Sequence, residues 1–259
     1  MYELENIGFG YGQRSVFKDL SLRFEAGHFY GVIGPNGCGK STLLDLLAAH
    51  VRPDQGNVRM KGRPLHRLDR KTIARSIAIV PQDFRINFPF TCREIVMMGR
   101  YPYIPRFAQP AEADRAIVEQ VFRQADLEGF QSRYVHQLSG GERQRVVFAR
   151  CLAQQTPVIL LDEATASLDM RHTLGMLNLV AAKVSADSLV IAVMQDVNLA
   201  AMYCDRLICI NRGGVVAGGP LEQVLTREVL KEVFEIRANV AYNDYCQTLQ
   251  VAFKKQARS

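Results

Sequence analysis

Eight consecutive residues near the start of the chain have the composition of a phosphate-binding loop. They fit the pattern G-x-x-x-x-G-K-[ST] and run Gly34-Pro35-Asn36-Gly37-Cys38-Gly39-Lys40-Ser41. Glycines at these positions let successive backbone N–H groups face phosphate oxygens, while the lysine reaches the β- and γ-phosphates and the serine hydroxyl binds Mg²⁺. The run, extended by Thr42, therefore predicts a nucleotide site in which Lys40 assists catalysis and Ser41 holds the metal.

A pair of carboxylates further along the chain could supply the acid–base chemistry. The apolar run from Val158 to Leu161 is followed directly by Asp162 and Glu163. One acid can hold the Mg²⁺ shell while the other orients or deprotonates an attacking water. Such a strand end is weak evidence for a catalytic site by itself, and the phosphate loop upstream is what supports this interpretation. We predict that Asp162 is a metal ligand and that Glu163 is catalytic.

Between these motifs lies a third anion-binding pattern, Leu138-Ser139-Gly140-Gly141-Glu142, followed by helical spacing up to Ala153. A hydroxyl, backbone N–H groups and a helix N-terminus together suit a phosphate. With all three motifs in this order, the sequence up to about residue 220 resembles the ATP-binding subunits of ATP-binding cassette (ABC) transporters. The resemblance implies that Ser139, Gly140 and Gly141 contact the γ-phosphate bound by a second copy, so that a homodimer encloses two ATP molecules with Mg²⁺.

Other positions carry over from this resemblance one by one. Tyr11 matches the aromatic residue that stacks on adenine, although a strand aromatic in the core is an equal alternative. Gln82 matches the glutamine that contacts Mg²⁺ and leads into a helical subdomain. The segment 167–169, Ser-Leu-Asp, matches the loop that communicates across the dimer.

The chain departs from the family pattern at two positions. Gln195 stands where the family has a histidine near the γ-phosphate, and Ala164 stands where proline usually follows the catalytic glutamate. A glutamine can donate a neutral amide hydrogen bond but cannot titrate. Gln195 is therefore assigned a catalytic role as a neutral donor. His172 is a possible substitute for the missing imidazole, but its helical context favours a surface residue.

Cys38 lies inside the phosphate loop, beside Lys40 and a helix N-terminus. Both features lower a thiol pKa, so the sequence predicts a reactive thiol in the absence of nucleotide. The simpler interpretation is a small residue that fills the loop.

The segment after Gln82 resembles that of ATPases serving importers of ferric siderophores, haem and cobalamin, with importers of metal oxyanions as the alternative. The matching runs are residues 87–94, Asn-Phe-Pro-Phe-Thr-Cys-Arg-Glu, and 98–103, Met-Gly-Arg-Tyr-Pro-Tyr. In such importers this region receives the membrane permease, and a substrate-binding protein outside the membrane delivers the ligand. Large apolar side chains suit a docking surface, although helical packing explains several of them equally well; they are Phe84, Phe88, Phe90, Tyr101, Tyr103, Ile104 and Phe107.

Other classes of ATPase fit less well. A chromosome-structure ATPase needs a long coiled coil between Lys40 and Leu138, a translation-associated protein needs two phosphate loops, and an exporter usually carries fused membrane helices. The sequence has none of these features. A stand-alone ATPase that is not coupled to transport is the remaining alternative.

Apolar patterning predicts the elements that position these motifs. Alternation indicates paired strands over residues 1–27, and short apolar runs indicate strands at 29–33, 77–80, 158–162 and 189–194. Runs of this kind are typical of a parallel sheet covered by helices. We predict an α/β fold with a P-loop parallel-sheet core, an N-terminal antiparallel β subdomain and an inserted helical subdomain. The predicted boundaries within one ABC ATPase domain are 1–82 with 154–220 for the core, 83–153 for the helical insertion and 221–259 for a C-terminal extension.

Composition supports a globular protein. The 259 residues are 48% hydrophobic and 22% charged, and the net charge of +6 comes from scattered basic residues, so no nucleic-acid partner is predicted. The six cysteines form no C-x-x-C pair, which argues against disulfides and structural metal. No signal peptide or membrane-length apolar run is present, so we expect a cytoplasmic protein bound peripherally to the inner face of the cell membrane.

Overall fold

The computed structural model describes residues 1–84 and 88–254 and contains alternating strands and helices. The strands are Tyr2–Tyr11 (β1), Arg14–Phe24 (β2), His28–Ile33 (β3), Gln55–Met60 (β4), Arg63–Pro64 (β5), Ile77–Val80 (β6), Val158–Asp162 (β7), Leu189–Val193 (β8), Arg206–Asn211 (β9), Gly214–Pro220 (β10), Ala238–Asn243 (β11) and Thr248–Phe253 (β12). The α-helices are Lys40–Leu47 (α1), Arg70–Ser76 (α2), Cys92–Met97 (α3), Glu112–Gln124 (α4), Gly140–Ala153 (α5), Met170–Ala181 (α6), Val197–Tyr203 (α7), Leu221–Val224 (α8) and Arg227–Phe234 (α9).

The chain forms two compact units, one of Met1–Leu68 with Val184–Ser259 and one of Asp69–Lys183. In the first unit β1 lies between β2 and β4 and is antiparallel to both. Tyr2, Leu4 and Ile7 of β1 are buried, and a register shift between Leu4 and Ile7 interrupts the alternation of the strand. This antiparallel sheet is the predicted N-terminal β subdomain.

The strand that leads into the phosphate loop is central in the first unit. β3 lies between β8 and β9 and runs parallel to both, while β10 is antiparallel to β9. Phe29, Tyr30 and Val32 are buried, as expected for a strand covered on both faces. The carboxyl ends of β3 and β8 therefore meet at one edge, where Val32 pairs with Val193.

In the second unit, helices surround a short parallel pair. β6 and β7 are parallel, and Val80 pairs with Leu161 at their carboxyl ends. Helices α2, α3, α5 and α6 begin at side-chain caps, with capping boxes at Thr91 for α3 and at Ser139 for α5, whereas α4 begins at Ala111 without one. These caps explain where the four capped helices start.

A C-terminal hairpin, β11 with β12, attaches to helix α7 in the first unit. The carboxamide of Asn198 donates to the carbonyl of Val251 at 3.2 Å and accepts from the Val251 N–H at 2.7 Å. The Thr248 hydroxyl donates to the carbonyl of Ala201 at 2.6 Å. The hairpin therefore braces the helix that begins directly after Asp196.

The predicted fold class, an α/β P-loop core with an antiparallel β subdomain and a helical insertion, is confirmed. The division at residues 82, 153 and 220 stays a prediction. Asn87, at the start of the importer-like segment, lies outside the described residues, as do residues 255–259 of the C-terminal extension. No helix in residues 1–84 and 88–254 is both long and apolar enough to cross a membrane.

Candidate functional site

The phosphate loop connects β3 to α1 and depends on glycine at two positions. Gly34 and Gly39 have φ values of 156° and 111°. A Cβ on Gly34 would lie 2.0 Å from the carbonyl oxygen of Ile210, and one on Gly39 would lie 2.8 Å from the Phe17 ring. Only glycine fits this backbone, so the loop conformation is encoded by its own sequence.

The lysine of the loop is held above the backbone of the loop itself. Lys40 is only 5% exposed, and its ammonium donates to the carbonyls of Gly34 at 2.9 Å and Pro35 at 3.0 Å. These bonds stabilise a buried cation, which would be costly without partners. The arrangement concentrates positive charge where a phosphate would be bound.

The remaining loop residues differ in exposure. Asn36 and Gly37 are exposed at the tip of the loop, Ser41 is half-buried, and Thr42 is buried in the first turn of α1. A guanidinium nitrogen of Arg14 lies 3.5 Å from the position that a Cβ on Gly37 would occupy. Arg14, the first residue of β2, brings a further cation to the loop, and no sequence motif indicated it.

The prediction of a low pKa for Cys38 is wrong. The side chain is 7% exposed, and burial raises the pKa of its thiol, with the charge of Lys40 opposing this effect only in part. Desolvation disfavours a thiolate more than a neighbouring cation favours it here. Cys38 is thus a buried small residue that packs against the loop, which is the simpler of the two interpretations.

Tyr11 ends β1 with 51% of its surface exposed. Its ring contacts Phe9 edge to face, with 5.0 Å between the ring centroids. The core alternative for Tyr11 is therefore wrong. The exposed ring can stack on a planar ligand, whereas Phe9 supplies the core contact.

Gln195 follows β8 at the edge where the phosphate loop follows β3. The N–H of Met194 continues the pairing by donating to the Val32 carbonyl at 3.1 Å. Gln195 is exposed, and the next residue, Asp196, caps α7 through its carboxylate. Parallel pairing therefore brings Gln195 and the phosphate loop to the same edge of the first unit.

In the second unit, Gln82 and Glu163 meet at the carboxyl ends of β6 and β7. The amide nitrogen of Gln82 donates to a carboxylate oxygen of Glu163 at 2.8 Å. Asp162 is half-buried at the end of β7. The structure thus brings together the predicted metal ligand Gln82 and the predicted catalytic Glu163.

The start of α5 combines an exposed hydroxyl with exposed backbone. The Ser139 hydroxyl accepts from the Glu142 N–H at 3.3 Å, and the Glu142 carboxylate accepts from the Ser139 N–H at 2.8 Å. The serine oxygen is an acceptor in this cap, and the serine side chain also hydrogen-bonds to the Glu142 carboxylate. Ser139 and Gly140 are exposed and Gly141 is half-buried.

The carboxylate of Glu142 is the one acidic group in the first turn of this helix. Hydrogen bonds from Ser139 lower the pKa of Glu142, so the group is ionised at neutral pH. Arg133 lies 3.3 Å away and balances this charge. The pair limits repulsion between Glu142 and an approaching anion.

His172 lies on α6 and pairs with the residue that caps that helix. Its Nδ1 lies 2.8 Å from a carboxylate oxygen of Asp169, and hydrogen bonds from His172 lower the pKa of Asp169. The imidazole is half-buried, with 25% of its side chain exposed. Its visible role is to support the start of α6.

Gln144, one turn into α5, was not indicated as a site residue by the motifs. Its buried amide donates to the carbonyl of Ala164, which directly follows Glu163. The spacing of three residues from Gly141 could have placed it on the same helix face. That a buried amide would connect to another loop could not be deduced from spacing.

Each unit carries groups whose chemistry fits a magnesium nucleotide. In the first unit a glycine loop with no room for a Cβ and a buried ammonium fit phosphate, and the Ser41 hydroxyl is a hard donor of the kind that Mg²⁺ prefers. In the second unit the oxygens of Gln82 and Asp162 are donors of the same kind. In residues 1–84 and 88–254, no three His, Cys, Asp or Glu side chains cluster as a metal site. An ion held mainly by phosphate and water needs only one or two protein carboxylates, and Asp162 supplies one.

Comparison with known proteins gives a family and several relatives. The family model described as ABC transporter matches residues 17–166, more than half of the chain. A cobalamin import ATP-binding protein of Halobacterium salinarum is 42% identical over 226 residues, which cover 87% of this chain and 56% of that protein. The chain therefore spans just over half the length of this relative.

A hemin import ATP-binding protein of Streptomyces coelicolor is 40% identical over 224 residues, which cover 86% of this chain and 79% of that protein. Among solved structures, one described as a metal-chelate type ABC transporter in an inward-facing conformation aligns with a TM-score of 0.81 and 30% identity. The alignment covers 98% of this chain and 97% of that one. The similarity extends well beyond the short motifs.

The raised pKa of Cys38 can be tested by alkylation. At pH 7 iodoacetamide should modify Cys38 more slowly than it modifies glutathione, because each unit of pKa increase removes about tenfold of the thiolate. The rate should continue to increase at pH values above the ordinary thiol pKa of about 8.5, because the pKa of Cys38 is higher. Peptide mass spectrometry measures the modification, and Cys38→Ser identifies the peptide. Alkylation as fast as that of glutathione at pH 7 would restore the reactive-thiol interpretation.

Proposed function

This chain belongs to the ABC transporter family, a family of ATPases, and we propose that it is the ATP-binding and ATP-hydrolysing subunit of an importer of a metal complex. The observation that carries the proposal is the phosphate loop, in which Gly34 and Gly39 leave no room for a side chain and Lys40 is buried above the backbone. Such a loop binds the phosphates of a nucleotide. The carboxylate of Glu163, hydrogen-bonded to Gln82, supplies the complementary base.

Each side chain has a distinct role in this proposal. Backbone N–H groups of the loop and the Lys40 ammonium bind and orient the phosphates, and the exposed ring of Tyr11 stacks on the adenine. Glu163 accepts a proton from the water that attacks the γ-phosphorus, so that ADP and phosphate form. Ser41, Gln82 and Asp162 would hold Mg²⁺, which would neutralise charge on the phosphates when bound.

Gln195 acts as a neutral hydrogen-bond donor to the γ-phosphate. It lies at the sheet edge where the phosphate loop begins, through the pairing of Val32 with Val193. An amide cannot become cationic, so it stabilises developing negative charge less than a protonated imidazole does. Basal hydrolysis is therefore slow.

Two copies of the chain act together in this proposal. The exposed Ser139 and Gly140 at the start of α5 offer a hydroxyl and backbone N–H groups to an anion. The second copy supplies that anion as the γ-phosphate of its ATP. A homodimer then holds two ATP molecules, each between the phosphate loop of one copy and the Ser139 segment of the other.

The membrane subunits dock on the second unit. Phe88, Tyr101 and Phe107 are 70%, 56% and 93% exposed, whereas Phe84, Phe90, Tyr103 and Ile104 are at least half-buried. Beside Tyr101 lies a groove of about 560 Å³ whose lining includes Arg70, Lys71, Arg106 and Arg150. Aromatic side chains next to cations suit an amphipathic segment that carries acidic residues.

The transported ligand is an iron–siderophore, haem, cobalamin or related metal complex, since the relatives are named for hemin and cobalamin import. A substrate-binding protein, periplasmic or extracellular, delivers this ligand to the permease. The chain itself is bound to the cytoplasmic face of the membrane through the permease.

The role of Glu163 can be tested by Glu163→Gln. This variant should retain ATP binding and lose roughly 10² to 10⁴ in kcat, because the amide cannot accept the proton from water. ATP should then accumulate in a stable dimer, visible by size exclusion with light scattering. Lys40→Ala is the comparison variant and should weaken nucleotide binding itself. Turnover of Glu163→Gln close to that of the parent would remove Glu163 from this role.

Gln195 can be tested by substitution with histidine and alanine. Gln195→His should raise basal turnover, and Gln195→Ala should lower it by up to roughly 10² to 10³, the effect of losing one positioned donor. Steady-state ATPase rates are compared at matched nucleotide saturation, with and without the permease. An alanine variant as fast as the parent would mean that Gln195 does not contact the reacting phosphate.

Docking can be tested with single charge substitutions at exposed aromatic residues. Tyr101→Glu and Phe107→Glu should weaken association with the membrane subunits by roughly ten- to thirtyfold, as expected for interface anchors. Nucleotide affinity of the isolated chain should not change. Tyr245→Glu is the matched control, because Tyr245 is 97% exposed on the C-terminal hairpin. Unchanged association for both variants would place docking elsewhere, and a chain that binds no membrane subunit would favour the stand-alone ATPase.

A further inference from the structure

A single buried glutamine connects the first turns of α5 to two loops. Gln144 is 6% exposed, and its amide nitrogen donates to the carbonyl of Ala164 at 3.0 Å. The same nitrogen donates to the carbonyl of Pro81 at 3.4 Å, a longer and weaker bond. Both amide hydrogens of one side chain are therefore used inside the second unit.

The two carbonyls belong to the immediate neighbours of site residues. Pro81 precedes Gln82, Ala164 follows Glu163, and the side chains of Gln82 and Glu163 bond to each other at 2.8 Å. The contacts form a closed ring through the Gln144 amide. A shift of either loop would break at least one bond of this ring.

The backbone at Glu163 requires support of this kind. Glu163 has a φ of 45°, a left-handed conformation that is uncommon for residues other than glycine. Such a conformation persists only where the surrounding contacts impose it. The bond from Gln144 fixes the next carbonyl along the chain, so it bears directly on the direction of the Glu163 side chain.

The same helix also approaches the following loop. A Cβ on Gly141 would lie 3.3 Å from the carbonyl of Ser167, so the helix packs closely there. Gly141 and Gln144 are three residues apart and face the same side of α5. The start of α5, with Ser139 at its cap, thus touches the loop after Glu163 at two points.

We propose that Gln144 is a positioning residue that holds Gln82 and Glu163 in their working arrangement by fixing both loops to the start of α5. Hydrolysis then depends on the placement of α5, because Glu163 keeps its direction only while the Gln144 amide bridges the two carbonyls. Gln144 itself does not touch the substrate. This inference rests on the proposed ATPase function.

The same helix offers a matched control at its other end. Gln154, the C-cap of α5, donates from its amide nitrogen to the carbonyls of Ala74 at 2.6 Å and Ile77 at 2.8 Å. It is likewise a glutamine that bridges two carbonyls, but its partners lie at α2 and at the amino end of β6, away from Gln82 and Glu163. A purely structural effect should be similar at Gln144 and Gln154.

The experiment compares Gln144→Met, Gln144→Glu and Gln154→Met with the parent chain. Methionine keeps the length of the side chain and removes the donors, while glutamate keeps the shape and offers only acceptors. The measurements are kcat and KM for ATP by the purified full chain, affinity for a fluorescent ATP analogue, and thermal unfolding. For both Gln144 variants kcat should fall by about 10- to 100-fold, as for misplacement of a catalytic group, with KM within about twofold.

Gln154→Met should lower the melting temperature as much as Gln144→Met and leave kcat close to that of the parent. If Gln144→Met does not fold, Gln144→Asn, which keeps a donor on a shorter side chain, should show a smaller fall in kcat at unchanged nucleotide affinity. Equal kcat for the Gln144 and Gln154 variants, or a fall in affinity alone, would overturn the inference. A parent chain without ATPase activity would instead contradict the proposed function on which it rests.

Discussion

Parallel strand pairing is the constraint on which the candidate chemistry depends. Because Val32 pairs with Val193, the loops after β3 and β8 leave the strands at the same edge of the first unit. Because Val80 pairs with Leu161, the loops after β6 and β7 likewise start side by side in the second unit. Each loop carries a polar side chain, and in an unfolded chain these side chains would be far from one another. The register of a few backbone hydrogen bonds thus groups residues that are far apart in sequence.

The chemistry of these loops also depends on where charge is buried. Lys40 keeps its ammonium inside the protein by donating to two carbonyls, and burial lowers the pKa of Arg150 in the second unit. A buried cation is costly unless it has partners, and it interacts strongly with any anion that reaches it. The Glu142–Arg133 pair near the start of α5 shows the opposite arrangement, in which a carboxylate is balanced at the surface.

Much of the fold follows from the sequence, because short-range patterns determine local structure. The apolar runs at residues 77–80 and 158–162 coincide with β6 and β7, and the glycines of the phosphate loop have the conformations that their residue type permits. Features that depend on long-range packing could not be predicted. The thiol pKa of Cys38 depends on burial by the whole unit, and the bond between Gln144 and Ala164 joins residues whose proximity no spacing rule gives.

The central position of β3 also has a consequence for the order of folding during synthesis. Its two neighbours, β8 and β9, are encoded more than 150 residues later, since His28 pairs with Leu189 and Tyr30 with Arg206. The segment Asp69–Lys183, which forms its own compact unit, leaves the ribosome before either neighbour of β3. Such distant pairings form slowly, because a long loop must close before they contribute. The phosphate loop is thus synthesised early, but the strand that carries it can pair with β8 and β9 only after those later segments have been synthesised.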